Sequence, residues 1–120
     1  MASGTISVNG RPQTFSVGEG SFAAEAVAKY TGCSYTIPAN SIYAVEGCAW
    51  YLASRPEYVA LCTSDTNVNA QLANGGNAAL MASVGYIGST SSSSLTIYLW
   101  AKYAGTGSNS VQLNGWYMPK

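Results

Sequence analysis

Side chains able to carry out enzyme chemistry are few in this sequence and far apart. There is no histidine, so the commonest general base and metal ligand is missing, and a Ser-His-Asp or Cys-His arrangement cannot form within one chain. Glu46 and Glu57 lie on consecutive predicted strands and could face each other across a sugar, as a glycosidase requires. We interpret them instead as solvated or ion-paired side chains. We therefore predict no catalytic residues and no enzymatic activity.

Metal and cofactor sites are not predicted either. Asp65, Asn67 and Asn69 alternate loosely like a calcium-binding loop, but the glycine and the closing glutamate of that motif are missing. No glycine-rich phosphate-binding motif occurs. The three cysteines are Cys33, Cys48 and Cys62. Their spacing fits neither a zinc site nor a disulfide framework, so we expect reduced, buried thiols, no metal and no cofactor.

Aromatic residues are the remaining candidates for recognition, since the chain has nine tyrosines and three tryptophans. Tyr98 and Trp100 take the non-core positions of a predicted strand. Rings at such positions suit a subunit interface, core packing or a sugar ligand. We predict that both contribute to a subunit interface, and that Trp50 and Trp116 belong to the core or its edge.

Three polar segments are predicted to be loop tips: 64–69, 88–94 and 105–109. Loops carry recognition in rigid β domains because they vary without disturbing the sheet. We predict a shallow, neutral ligand site there, formed by Asp65, Asn67, Tyr103 and Asn109. The polar side chains would form hydrogen bonds with a ligand, and the Tyr103 ring would stack on it.

The strongest structural pattern lies over residues 95–103, where Leu95, Ile97, Leu99 and Ala101 alternate with polar or amphipathic residues. A period of two predicts a strand with one face in the core. Similar runs predict seven or eight strands, separated by turns rich in Gly, Ser and Asn. The predicted strands cover 5–8, 13–17, 34–37, 42–53, 57–63, 80–87, 95–103 and 111–117. The predicted core contains Leu95, Ile97, Leu99, Val59, Leu61 and Trp50.

Several boundaries stay open or depend on turn chemistry. Asn9-Gly10 predicts a hairpin between 5–8 and 13–17, ended by Gly18-Glu19-Gly20. Residues 21–31 fit a helix or a strand, 68–72 are undecided, and 74–77 form a predicted sharp turn. A bulge at Gly47 would place the apolar side chains on both sides of it on one face. Those side chains are Tyr43, Val45, Cys48, Trp50 and Leu52.

These patterns predict an all-β fold, an antiparallel, jelly-roll-like β-sandwich formed by residues 5–120 as a single domain. Residues 1–4 are interpreted as a disordered start or a cloning remnant. Charged residues make up only 8% of the 120 residues and the net charge is zero. Such a chain offers no basic patch for nucleic acid. A chain that buries part of its surface in subunit contacts needs fewer charged residues, so we predict an oligomer. No apolar run suggests membrane insertion or a signal peptide.

The sequence resembles the C-terminal head domains of bacteriophage tail fibres and related receptor-binding proteins. The resemblance rests on residues 36–43, 95–103 and 115–117, together with the Ser/Gly/Asn-rich tips and the low charge. It implies a homotrimer of β-sandwich heads in the virion, assembled in the host cytoplasm, that binds a host cell-surface glycan or protein. The alternative is a structural virion protein, a capsid decoration or tail component, whose aromatic residues serve only assembly.

Overall fold

The computed structural model describes residues 12–120, which form an antiparallel eight-stranded sheet. The strands are β1 (Gln13–Ala24), β2 (Lys29–Ile37), β3 (Ser41–Trp50), β4 (Pro56–Cys62), β5 (Gln71–Ala78), β6 (Met81–Ser89), β7 (Leu95–Tyr103) and β8 (Gly107–Pro119). Their order is β1-β8-β3-β6-β5-β4-β7-β2, and the sheet curls into a single, nearly barrel-shaped domain. The prediction of an all-β, antiparallel fold is therefore confirmed.

Two groups of four strands make up this sheet. The first half contains β1, β8, β3 and β6, and the second half contains β2, β7, β4 and β5. The halves join where β5 pairs with β6, at Asn77 with Ala82 and Ala78 with Met81. Apolar side chains of both halves meet in one core. Each strand therefore has an inner face toward this core and an outer face away from it.

The connections between strands lie at two ends of the domain. We call one the terminal end, because the register brings Gln13 beside Tyr117 and Ser41 beside Pro119 there. It holds the loops 38–40, 63–70 and 90–94. The other, the distal end, holds the loops 25–28, 51–55, 79–80 and 104–106. Its position follows from the pairing of Ala24 with Gly107 and of Trp50 with Met81.

The strand predicted over 95–103 is observed with those bounds as β7. Ile97, Leu99 and Ala101 are buried in the core, and Leu95 packs against it. Val59 and Leu61 of β4 are also fully buried, as predicted. Trp50 is half-buried on the outer face of β3 instead, so its assignment to the core is wrong.

The predicted bulge at Gly47 is also wrong, because β3 keeps one register with β6 and β8 through this residue. Tyr43, Val45, Gly47 and Ala49 face inward, while Cys48 and Trp50 face outward. Gly47 takes an inward position because the opposite half comes close there: a Cβ on Gly47 would lie 2.5 Å from Leu99 Cδ1. A side chain is missing where the core has no room for one.

Other boundaries differ from the predictions for local reasons. β1 does not end at 18–20 but continues to Ala24, with a register shift between Glu19 and Phe22. The undecided 21–31 segment contains the end of β1, the 25–28 loop and the start of β2. The turn predicted at 74–77 lies within β5. The chain reverses instead at Ala79, whose φ is +63°, and Leu80 beside it is exposed. The predicted 5–8 strand, its hairpin and the start at 1–4 lie outside the described residues.

Within residues 12–120, no helix has the length and apolar character needed to cross a membrane.

Candidate functional site

The four residues predicted to bind a ligand are not brought together by the fold. Asp65 and Asn67 lie in the 63–70 loop at the terminal end, whereas Tyr103 and Asn109 lie beside the 104–106 loop at the distal end. Two of the three predicted tips, 64–69 and 88–94, do share the terminal end. The third is at the opposite end, so a single site using all four side chains is excluded by the topology.

Tyr103 cannot serve as a stacking ring, because its side chain is fully buried. Its hydroxyl donates a hydrogen bond to the Trp50 carbonyl oxygen at 3.3 Å. Burial raises the pKa of the phenol to about 12. The prediction is corrected: Tyr103 has the same strand parity as Leu99 and Ala101, and its ring fills the distal end of the core.

Asn109 is also fully buried and acts within the chain. Its Oδ1 accepts the backbone N–H groups of Leu52, Ala53 and Ser54 at 2.9, 3.0 and 3.2 Å. Its Nδ2 donates to Ser54 Oγ at 3.0 Å and to the Gly107 carbonyl oxygen at 3.3 Å. The predicted ligand contact is therefore corrected to a structural one, which holds the 51–55 loop to the start of β8.

Asp65 and Asn67 remain exposed, as predicted. Ser64 Oγ accepts the backbone N–H groups of Thr66 and Asn67, each at 3.1 Å, and Asn67 Oδ1 accepts the N–H of Asn69 at 3.0 Å. These bonds fix the shape of the loop. Ligand binding by Asp65 and Asn67 stays a prediction.

Tyr98 and Trp100 lie on the outer face of the second half, where the chain covers much of this face itself. Trp100 packs with Ala60 and Cys62 in a second small cluster, with Tyr98 and Val68 against it. Its ring is 7% exposed, and its Nε1 donates to the Ser64 carbonyl oxygen at 2.8 Å. Because the 63–70 loop folds over the ring, little surface of Trp100 remains for contact with a partner subunit. The predicted interface role of Trp100 is therefore corrected to packing within the chain. Tyr98 stays half-exposed.

A concave groove lies on the outer face of the first half. It has a volume of about 660 Å³ and is open to solvent along its length. Two cross-strand rows form its floor. Ala44 pairs with Ile87 on one side and Trp116 on the other, and Glu46 pairs with Gly85 and Asn114 in the same way. We call this surface the outer groove.

The two rows differ in chemistry. In the first, the small Ala44 lies between Trp116, which is half-buried, and Ile87, which is 80% exposed. This leaves an apolar recess with an aromatic wall. In the second, Glu46 and Asn114 present a carboxylate and an amide beside Gly85, which has no side chain to cover them. An apolar wall next to a few fixed polar groups is the usual composition of small-molecule sites.

A hydrogen-bond chain orients the amide of the outer groove. Gln112 Nε2 donates to Ser16 Oγ at 2.6 Å, and Ser16 Oγ donates to Asn114 Oδ1 at 2.7 Å. Since the amide oxygen of Asn114 is used in this way, its Nδ2 is left to donate to a ligand. All three side chains lie on the outer face of β1 and β8.

Sequence reasoning missed the outer groove, although part of the signal was present. Trp116 has the same strand parity as Asn114 and Gln112, and therefore faces away from Val111 and Leu113, which are buried. Parity alone places it on the outer face. Its neighbours Ala44 and Glu46 are about seventy positions away in the sequence, and only the register of β3 with β8 brings them together.

The three cysteines are not bonded to one another. Cys33 and Cys62 are buried and Cys48 is half-buried. Burial raises the pKa of all three thiols, that of Cys62 to about 11. Thiolates are therefore scarce at neutral pH. Among residues 12–120, no group of three or more His, Cys, Asp or Glu side chains is arranged to hold a metal ion.

Comparisons with known proteins identify a shared fold. No protein-family model and no curated protein matches the sequence. Among solved structures, the chain is similar to a protein of Bacillus endospore appendages, described as a novel family of disulfide-linked pili. The TM-score is 0.53 at 12% identity, and the match covers 99% of this chain and 100% of the other. At this identity the likeness applies to the fold alone.

Proposed function

We propose that this chain is a non-enzymatic receptor-binding head that binds a host cell-surface glycan through the outer groove. The observation that carries the proposal is the pairing of an aromatic wall, Trp116, with the polar pair Glu46 and Asn114 in an open groove. Aromatic rings stack on the apolar faces of pyranoses, and amides and carboxylates bind their hydroxyls. The volume of the outer groove, about 660 Å³, lies within the range of small-ligand sites.

We further infer that the two halves pack as a jelly-roll sandwich. The strand order supports this: β1-β8-β3-β6 in one half and β2-β7-β4-β5 in the other. Every connection between consecutive strands except β4–β5 passes from one half to the other, as expected for a folded-over pair of Greek keys. In such a sandwich the outer groove lies on a sheet face, away from the loops at either end.

The biological setting is proposed from the resemblance to phage tail-fibre heads. We place the protein in a virion, assembled in the host cytoplasm, as a homotrimer. A shallow groove with few polar groups binds one glycan weakly, because each such contact contributes only about 0.5–1.5 kcal/mol. Three grooves on one trimer would bind a cell surface through avidity. Tyr98, half-exposed on the outer face of the second half, remains a candidate for the subunit contact.

A second candidate is a purely structural subunit of an appendage or virion. It is favoured by the similarity in fold to the endospore appendage protein, which forms pili. In this case Trp116 and Ile87 would contact a neighbouring subunit instead of a glycan. The two candidates differ in what the outer groove binds, so the same variants test both.

The experiment is a glycan array probed with the wild type and with Trp116→Ala. Tyr51→Ala is the matched control, because Tyr51 is an exposed ring at the distal end. We expect Trp116→Ala to weaken binding by about two- to tenfold, and Tyr51→Ala to leave it unchanged. A third variant, Asp65→Ala with Asn67→Ala, tests the 63–70 loop. Loss of binding in that variant alone would move the site to the loop.

Absence of any glycan bound by the wild type would reject the receptor-binding proposal. Analytical ultracentrifugation of the same proteins then tests the structural candidate. Assembly into a trimer or larger species that is lost in Trp116→Ala, but not in Tyr51→Ala, would support a subunit contact through the outer groove.

A further inference from the structure

We infer that the outer groove selects sugars that carry a free ammonium group, that is, hexosamines with an unsubstituted amine. This inference rests on the proposed glycan-binding function and specifies the class of sugar. It is based on the charge of the groove and on the positions of three side chains: Glu46, Asn114 and Trp116.

Among residues 12–120, Glu46 is the only Asp, Glu, Lys or Arg that lines the outer groove. It is exposed, and it takes no part in the two ion pairs found among residues 12–120, which join Lys29 to Glu25 and Lys102 to Glu57. The walls formed by these described residues therefore present one carboxylate and no cationic side chain. A cationic ligand group would complement this charge, and a carboxylate on the ligand would be repelled.

The register places the carboxylate within reach of a ring stacked on Trp116. Ala44 pairs with Trp116 and Glu46 pairs with Asn114, so Glu46 and Trp116 are diagonal neighbours on adjacent strands. Such neighbours are roughly 7–8 Å apart at their backbones and closer at their side-chain ends. This span matches a single pyranose, with its apolar face on the indole and one substituent at Glu46.

The remaining polar group fits the hydroxyls of the same sugar. Asn114 Oδ1 is occupied by the Ser16 hydroxyl at 2.7 Å, so the amide offers a donor to the groove. An amine beside Glu46, a hydroxyl oxygen at Asn114 Nδ2 and a ring face on Trp116 together describe an aminopyranose. A lysine side chain supplies the ammonium but has no ring face and no hydroxyls for the other two positions.

The charge contribution is modest, because the groove is open to water. Exposed ion pairs of this kind change affinity by roughly fivefold. The preference for an amine over its acetylated form should weaken as salt is raised, since exposed charges are screened. Stacking on Trp116 should be largely independent of salt.

The test compares four probes by isothermal titration calorimetry at pH 6 with the wild type, Glu46→Gln and Trp116→Ala. The probes are the glucosamine tetramer, its fully N-acetylated counterpart, a galacturonate tetramer and tetralysine. We expect the glucosamine tetramer to bind the wild type roughly fivefold more tightly than the acetylated one, and the galacturonate tetramer to bind most weakly. Glu46→Gln should remove this preference and keep binding of the acetylated tetramer. Trp116→Ala should weaken binding of both.

Three outcomes would overturn the inference. Equal binding of the amine and acetylated tetramers by the wild type, or an unchanged preference in Glu46→Gln, would reject the charge selection while leaving glycan binding intact. Tetralysine binding as tightly as the glucosamine tetramer would reject the sugar and indicate a cationic peptide. Failure of all three sugar probes to bind, together with an empty glycan array, would reject the proposed function as well.

Discussion

Asn109 and Ser54 are joined by two hydrogen bonds in opposite directions. The Ser54 N–H donates to Asn109 Oδ1 at 3.2 Å, and Asn109 Nδ2 donates to Ser54 Oγ at 3.0 Å. Both residues are buried, although Ser54 belongs to a loop. A single amide thus satisfies the backbone of the β3–β4 connection, which would otherwise carry unpaired donors at the edge of the core.

Asn109→Leu should therefore destabilise the domain strongly. Leucine is close in size but cannot accept the N–H groups of residues 52–54, and each buried donor left unpaired costs about 1–3 kcal/mol. We expect a loss of at least about 2 kcal/mol in the free energy of unfolding, measured by urea denaturation. Asn74→Leu is the control at an exposed asparagine and should change stability by less than about 0.5 kcal/mol. Equal effects of the two changes would contradict the structural role of Asn109.

The role of Asn109 illustrates what could be predicted from strand parity. Asn109 shares its parity with Val111 and Leu113, and Tyr103 shares its parity with Leu99 and Ala101. All are buried. Continuing the alternation by one or two residues would have placed both side chains in the core. The Gly/Ser-rich composition of 105–109 instead predicts a loop tip that contains Asn109 and adjoins Tyr103, the last residue of the predicted 95–103 strand.

Other features lie beyond what a single sequence can indicate. Trp100 has outward parity, yet it is covered because the 63–70 loop folds over it. The outer groove exists because Ala44 is small where Trp116 and Ile87 flank it. Both features depend on which strands become neighbours, and pairing between distant segments is not encoded by local periodicity. By contrast, the sequence predicts β7 with its full bounds because its alternation is uninterrupted and it lies between two Gly/Ser-rich segments, 88–94 and 105–109.

Tyr103→Phe should change how stability depends on pH. Burial raises the pKa of Tyr103 from 10.0 to about 12, so the unfolded state loses its proton first. The resulting stability is fully present below pH 10 and is lost as the pH rises toward 12. Phe cannot titrate, so the variant should lose less stability over this range. Urea midpoints between pH 8 and 12 measure the difference. Parallel curves for the two proteins would show that the phenol is already exposed.

At neutral pH, Tyr103→Phe should lower the free energy of unfolding. Phe lacks the hydroxyl that bonds to the Trp50 carbonyl oxygen, and a hydrogen bond of this kind contributes about 0.5–1.5 kcal/mol. We therefore expect Tyr103→Phe to be less stable than the wild type at pH 7, with the gap narrowing above pH 10. A constant gap would exclude the deprotonation argument.

The three thiols should react in an order set by burial. Cys48 is half-buried on the outer face, whereas Cys33 and Cys62 are enclosed. Iodoacetamide at pH 8 should therefore label Cys48 first, and the other two only as fast as the domain opens. Mass spectrometry of peptides from a time course measures each rate. Three labelled thiols in unfolded, unreduced protein would also support the expectation of reduced cysteines, and one would contradict it.

Gly47→Ala tests the inward position of Gly47 and the close approach of the two halves. The new methyl group would lie 2.5 Å from Leu99 Cδ1 and 3.3 Å from Leu61 Cδ2. Leu99 and Leu61 are fully buried and have little room to move, so we expect a loss of about 1–3 kcal/mol in the free energy of unfolding.

Gly20→Ala is the matched control. It lies in β1 with no atom within 4 Å of its added Cβ, and should be neutral or stabilising by about 0.5 kcal/mol. Only Gly47→Ala should therefore lower the free energy of unfolding. A neutral Gly47→Ala would mean that β3 has a bulge there after all and turns Gly47 away from Leu99.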